Sequence, residues 1–188
     1  MLTKLKSLIA KSFGTKHDRD IKRLEPIVEI VNGWADEYRG LAEDQFPEKT
    51  REFRARWENG ELLDEILPEA YGLVKETCRR MIGRSWTVPG QGEMVWDMTP
   101  YDVQIIGGIV LHEGKITEMA TGEGKTLVAL FPLYLNGMTG RGAHLVTHNE
   151  FLAKRDRAWM GPVFEFLGLT VEGLETNDPD MDLSLIHI

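Results

Sequence analysis

Met119-Ala120-Thr121-Gly122-Glu123-Gly124-Lys125-Thr126 is the stretch on which the fold turns. It carries Gly-Lys-Thr between an expected strand, Ile116 to Met119, and an expected helix, Gly124 to Asn136, the setting that a phosphate-binding loop needs. Glycines let backbone N–H groups turn inward around an anion, and the N-terminus of the following helix adds positive potential. Lys125 can reach β and γ phosphate oxygens, and the Thr126 hydroxyl can hold Mg²⁺. The strict pattern begins with glycine, and Met119 stands there instead. The competing reading is a structural glycine turn that happens to carry a lysine. The Glu123 side chain is expected in solvent, because a general base has to face the attacking water beyond the γ phosphate.

Downstream, Ala143 to Thr147 reads as a strand, Asn149 to Leu167 as a helix and Leu169 to Val171 as a strand. Strand, helix, strand, helix, strand at these lengths predicts an α/β fold with right-handed crossovers and a parallel sheet. Pro132 should kink the first of these helices or leave a turn loosely bonded. Upstream, Pro100-Tyr101-Asp102-Val103-Gln104 places a glutamine 21 residues before Lys125. Its amide offers a donor beside an acceptor, which matches the N6/N7 edge of adenine and would select ATP over GTP. Taken alone, the same residue also reads as an exposed glutamine at a helix start.

The first half of the chain is helical in pattern. Ile21, Leu24, Val28, Val31, Ala35 and Tyr38 form one stripe, with Pro26 near its first turn. A second helix is expected from Thr50 to Gly60, and a third from Pro68 to a stop at Gly83. Residues 83–100 are a turn-rich connector with room for a small hairpin. Residues 1–16 carry Lys4, Lys6, Lys11 and Lys16 around Leu2, Leu5, Ile9 and Phe13, a short basic amphipathic helix suited to an anionic lipid surface or to packing on the protein body. This divides the chain into a helical region, 1–92, and a partial nucleotide-binding region, 93–188.

Composition narrows the classes further. Twenty-two Lys and Arg against 30 Asp and Glu give a net charge of −8, which argues against a sequence-independent grip on nucleic acid. A single cysteine, Cys78, forbids an internal disulfide and fits a reducing compartment. No run approaches the roughly 18 apolar residues that span a bilayer. His112, His144 and His148 have no metal-ligand spacing and are expected to be non-catalytic, as are His17 and His187.

Several stretches together make the chain resemble the SecA preprotein translocase ATPase family. They are Thr50-Arg51-Glu52-Phe53-Arg54-Ala55-Arg56, Tyr101-Asp102-Val103-Gln104-Ile105-Ile106-Gly107-Gly108, Thr121-Gly122-Glu123-Gly124-Lys125-Thr126, Tyr134-Leu135-Asn136 and Phe164-Glu165-Phe166-Leu167-Gly168-Leu169-Thr170-Val171. That family also has Met at the place of Met119. One departure is His148-Asn149-Glu150-Phe151, where the family reads Val-Asn-Asp-Tyr.

The resemblance implies a P-loop NTPase fold of the DEAD-like helicase kind. It also implies a motor that hydrolyses ATP with Mg²⁺ at the cytoplasmic face of the cell membrane, and it names as partners the SecYEG channel, unfolded preproteins, anionic phospholipid at the N-terminal helix and a second copy in a homodimer. Carried over residue by residue, it puts Met98, Tyr101 and Gln104 around adenine. Thr121, Gly122, Glu123, Gly124, Lys125 and Thr126 go around phosphate and Mg²⁺, and Arg155 lies near the nucleotide, with Lys125 and Thr126 as the catalytic pair. The alternatives are a nucleic-acid helicase of the same superfamily and a non-enzymatic docking piece.

Hydrolysis needs a carboxylate for Mg²⁺, a second for the attacking water and a cation for developing charge. No Asp-Glu-x-Asp run follows Lys125, and Asp178, Asp180 and Asp182 flank Pro179 in what reads as a solvated loop. The chain is therefore expected to bind MgATP weakly without turning it over. Its tail, Leu183-Ser184-Leu185-Ile186-His187-Ile188, does not match how the family continues, as a truncated gene or misread end would produce.

Overall fold

In the computed structural model, residues 16–88, 90, 92–173 and 185–188 are described. The basic segment 1–15 and the acids Asp178, Asp180 and Asp182 lie outside the described residues.

Three helices build the first half: α1 (Lys16–Glu37), α2 (Gln45–Glu58) and α3 (Leu63–Arg80). The α1 stripe is buried as its spacing demands, with Leu24, Val28, Val31, Ala35 and Tyr38 all against the core. Removing such side chains from water stabilises by about 1.5–3 kcal/mol each, which outweighs any local propensity in these helices. The helices begin earlier than the stripes predict. α1 extends five residues before Ile21, so Pro26 is internal; the carbonyl it leaves unbonded belongs to Lys22, which is exposed and open to water. α3 starts at Leu63 rather than Pro68, because the Glu65 carboxylate accepts the Leu62 N–H at 3.0 Å and ties down the first turn. α2 starts at Gln45, with Pro47 in its first turn.

The connector forms an antiparallel hairpin, β1 (Ser85–Val88) with β2 (Gly92–Val95), in register Ser85↔Val95. The Trp86 indole N–H holds it to α6 (Glu150–Phe166) by donating to the Ala158 carbonyl at 3.0 Å. Next come α4 (Asp102–His112), α5 (Lys125–Gly137), β3 (His144–Val146), then α6, β4 (Glu172–Gly173) and β5 (Leu185–His187).

The sheet departs from expectation. Its order is β3-β5-β4, and β5 pairs antiparallel with both neighbours. β3 and β4 therefore point the same way across the α6 crossover, as the alternating pattern predicts. The slot between them is filled by the chain's last residues running in the opposite sense, so no parallel ladder forms among the described residues. Ile116 to Met119 is not a strand: the segment lies along a groove against α1 and α4, with Ile116 97% exposed and no ladder partner. A strand of a parallel sheet is held by neighbours on its flanks. The expected strand 169–171 is displaced to β4, because Leu169 and Val171 point into the core instead. Pro132 sits inside a continuous α5, where the Asn136 amide donates to its carbonyl at 2.8 Å.

One apolar cluster runs from Leu24 through Phe53, Tyr71, Trp96, Ile105, Phe131 and Tyr134 to Val171. Thr50 locks its far side. Its hydroxyl donates to the Leu167 carbonyl at 2.7 Å, a closer acceptor than the Phe46 carbonyl at 3.4 Å, and accepts from the Tyr134 hydroxyl at 2.7 Å, which gives each O–H a partner. Burial pushes the Tyr134 phenol and the Cys78 thiol up from their ordinary values, so Cys78 is an inert core residue.

Candidate phosphate-binding site

Two helix starts meet at the site. α5 begins at Lys125 and is capped by Gly124, whose backbone is left-handed at φ +75°, ψ +44°. Gly122 is also at positive φ, +92°. These glycines let the loop fold over the first turn of α5, with Thr121, Gly122, Glu123 and Lys125 exposed and Thr126 half-buried. The N-terminal end of α5 and the Lys125 ammonium form a cationic cradle, with the Leu127 N–H of that turn already donated to the Gly124 carbonyl at 2.9 Å. The ammonium donates to the Ala120 carbonyl at 3.0 Å and closes the loop on itself. The Glu123 side chain faces solvent, as expected.

The second helix start supplies Gln104, and here the structure refines the expectation. Gln104 is neither an exposed helix-start residue nor a free base reader. It is 3% exposed, its Oε1 accepts the Tyr101 N–H at 2.8 Å, and its Nε2 donates to the Glu123 carbonyl at 2.9 Å. The carboxamide is thus wired into the phosphate loop, with one N–H and one oxygen lone pair left over. A methyl group at Gly124 would lie 2.4 Å from Gln104 Nε2, so only glycine admits this contact.

The remaining expected residues divide. Tyr101 is 74% exposed beside the loop. Met98 is half-buried against the core, and its carbonyl shares the Trp96 indole N–H with that of Cys78, at 2.7 and 2.9 Å. Arg155 is spent on its neighbour: Nε and Nη2 donate to Asp156 Oδ1 at 2.8 and 2.6 Å. Asp156, 7% exposed, lines with Thr126 a small apolar crevice between α5 and α6. It is the acid that sequence reading missed, since adjacent helix residues do not ordinarily face each other. No group of three or more His, Cys, Asp or Glu that could hold a metal occurs among the described residues. The set present, an ammonium, the N-terminus of α5 and a hydroxyl, fits a nucleoside triphosphate with Mg²⁺.

α4 packs on α5 through Gly107 and Gly108, where added methyl groups would meet Val128 Cγ1 and Phe131 Cβ, each at 2.9 Å. Its far end is tied to α1 by a bidentate pair, Arg23 to Glu113, at 2.7 and 2.8 Å. The Arg23 guanidinium holds the Glu113 carboxyl below its ordinary range, helped by Lys115. A depressed carboxyl contributes stability that is complete above its unfolded value and fades as pH falls through the folded one. The melting-temperature gap between the chain and its Glu113→Gln variant should therefore be constant at neutral pH and vanish in acid below the usual carboxylate range. A gap that widens in acid would contradict the pairing.

A family model described as "SecA DEAD-like domain" matches residues 9–183. Protein translocase subunit SecA of Chloroherpeton thalassium is 45% identical over 215 aligned residues, covering 91% of this chain and 20% of that protein. The proteins of the same name from Chlamydia muridarum and Chlorobaculum tepidum are 49% and 44% identical, covering 91% and 87% of this chain and 18% and 20% of theirs. The chain spans about one fifth of the length of the curated relatives it matches. β5 lies beyond the matched residues. With one match running through the helical region, the loop and α6, the chain belongs to the SecA DEAD-like domain family.

Proposed function

We propose that the chain is the amino-terminal, ATP-binding part of a SecA-type preprotein translocase, with residues 1–92 as a helical region and 93–188 as the partial nucleotide-binding region. The observation that carries this reading is a loop with Gly122 and Gly124 at positive φ opening α5 at Lys125, wired through Gln104 to the turn at Tyr101. Lys125 and the amides of the α5 first turn hold the phosphates, and Tyr101, Met98 and the spare valences of Gln104 face adenine. Mg²⁺ would be held through Thr126 and would supply charge neutralisation. Asp156 is held by Arg155 and no Asp-Glu-x-Asp run follows Lys125, so the reading is of a chain that binds nucleotide without turning it over.

In the longer protein the same site would drive preprotein passage through the SecYEG channel at the cytoplasmic membrane face. The basic segment 1–16 would then meet anionic lipid. No helix among the described residues is long and apolar enough to cross a membrane.

Calorimetric titration of the chain with MgATP tests the reading. Binding should be measurable and should weaken at least about tenfold in Lys125→Ala, since a charged hydrogen bond contributes about 1.5–3 kcal/mol. Phosphate release should be absent in both. Equal affinity in the variant, or turnover that the substitution abolishes, would contradict it.

A further inference from the structure

α1 and α4 run antiparallel, and polar ties join them at both ends. Arg23 meets Glu113 at the end of α4, while Asn32, nine residues later on α1, meets Asp102 at its start. The spans agree: nine residues of α1 rise about 14 Å, and the eleven from Asp102 to Glu113 about 16 Å. The tie at the start is a three-way knot. Asn32 Nδ2 donates to Asp102 Oδ1 at 3.0 Å, Lys75 Nζ of α3 donates to Asn32 Oδ1 at 2.6 Å, and Lys75 Nζ reaches the same Asp102 oxygen at 3.4 Å. The Lys75 side chain is only 12% exposed, so its ammonium depends on these two partners.

Asp102 sits between Tyr101, the N-cap of α4, and Gln104, the residue bonded to the phosphate loop. Lys75, Asp97, Thr99, Tyr101 and Asp102 line one open cleft. We infer that Asn32, Lys75 and Asp102 are positioning residues for base recognition, fixing the first turn of α4 so that Tyr101 and Gln104 present a set edge to adenine. Asp102 is 61% exposed, and an exposed pair by itself would contribute little. The knot acts through orientation, by anchoring the turn to two helices of the helical region. It makes α1 and α3 part of the nucleotide site without touching the nucleotide. The inference rests on the ATP-binding reading above and extends it to discrimination between bases.

The test compares the chain with Asn32→Ala, Asp102→Ala and Asp102→Asn in titrations with MgATP, MgGTP and inorganic triphosphate, alongside melting curves. Asp102→Asn keeps the oxygen that accepts from Asn32 and Lys75. The two alanine variants should lose about tenfold in ATP affinity, the cost of one misplaced hydrogen-bonding edge, and with it the preference for ATP over GTP. Their affinity for triphosphate should stay that of the parent, and Asp102→Asn should keep the preference. Alanine variants that retain the preference would overturn the positioning role. So would variants that lose ATP and triphosphate affinity together with melting temperature, since that pattern marks general loosening. A parent chain that binds triphosphate and both nucleotides equally also overturns it, whereas a parent chain that binds none of the three overturns the ATP-binding reading beneath it.

Discussion

Replacing Gly124 with alanine should cost the chain most of its nucleotide affinity, through two effects that add. The backbone at φ +75° is left-handed, which penalises any residue with a Cβ by roughly 1–2 kcal/mol. The new methyl group would also lie 2.4 Å from Gln104 Nε2, well inside contact distance. Gln104 has no room to retreat, since it is buried and its other end is held by the Tyr101 N–H. Its bond to the Glu123 carbonyl has to break, leaving a buried amide donor unpaired at about 1–3 kcal/mol. MgATP affinity should fall by ten- to a hundredfold, on the order of 1.4–2.8 kcal/mol. Gly122→Ala offers the contrast: φ is +92°, but nothing lies within 4 Å, so only the backbone term applies. Titration of both variants should rank Gly124→Ala clearly worse. Adding Gln104→Ala to Gly124→Ala should recover part of the loss in affinity for inorganic triphosphate, which does not use the adenine edge, if the clash is real; equal effects at the two glycines would contradict the contact.

The largest stability loss is expected from Phe131→Ala. Phe131 is fully buried where three helices meet. Its ring lies 4.9 Å from that of Tyr71 on α3, and its Cβ packs under Gly108 of α4. The Tyr71 hydroxyl closes the arrangement by donating to the Gly108 carbonyl at 3.1 Å. A cavity here cannot collapse readily, because α4 already touches α5 at the limit a glycine allows. The cost should fall in the range of about 3–5 kcal/mol for Phe→Ala, out of a total of about 5–15 for a domain. At roughly 2–4 °C per kcal/mol for a domain of this size, melting should drop by about 6–20 °C. A drop of only a degree or two would mean that α5 is not seated on α3 and α4 as described.

What the sequence revealed follows from which forces are local. The α1 stripe from Leu24 to Tyr38 was legible because a two-sided helix writes its burial at a period of 3.6 residues. The loop from Thr121 to Thr126 was legible as a turn opening a helix because Gly122 and Gly124 supply the positive φ that the turn requires. α4 went unread as an element: apolar residues and Gly107–Gly108 surround it on nearly all sides, so it shows no stripe. The early starts of α1 and α3 escaped because side-chain capping at Glu65 and solvent access at Lys22 are not written in apolar spacing. The parallel sheet failed for a tertiary reason, since the strand between β3 and β4 comes from residues 185–187, beyond the family match. At the site, the residue types are legible in the chain and their wiring is not. Nothing local announces that Gln104 bonds Glu123, 19 residues away, or that Arg155 turns to Asp156.

The central claim is that backbone amides around Lys125 receive a polyphosphate, and amide resonances report on those groups one by one. In an isotope-labelled chain, adding MgATP should move the N–H signals of Gly122, Gly124, Lys125 and Thr126 the most. Inorganic triphosphate should move the same set while leaving Tyr101 and Gln104 nearly still. Shifts confined to other parts of the chain, with these four amides unmoved at saturating nucleotide, would contradict the account.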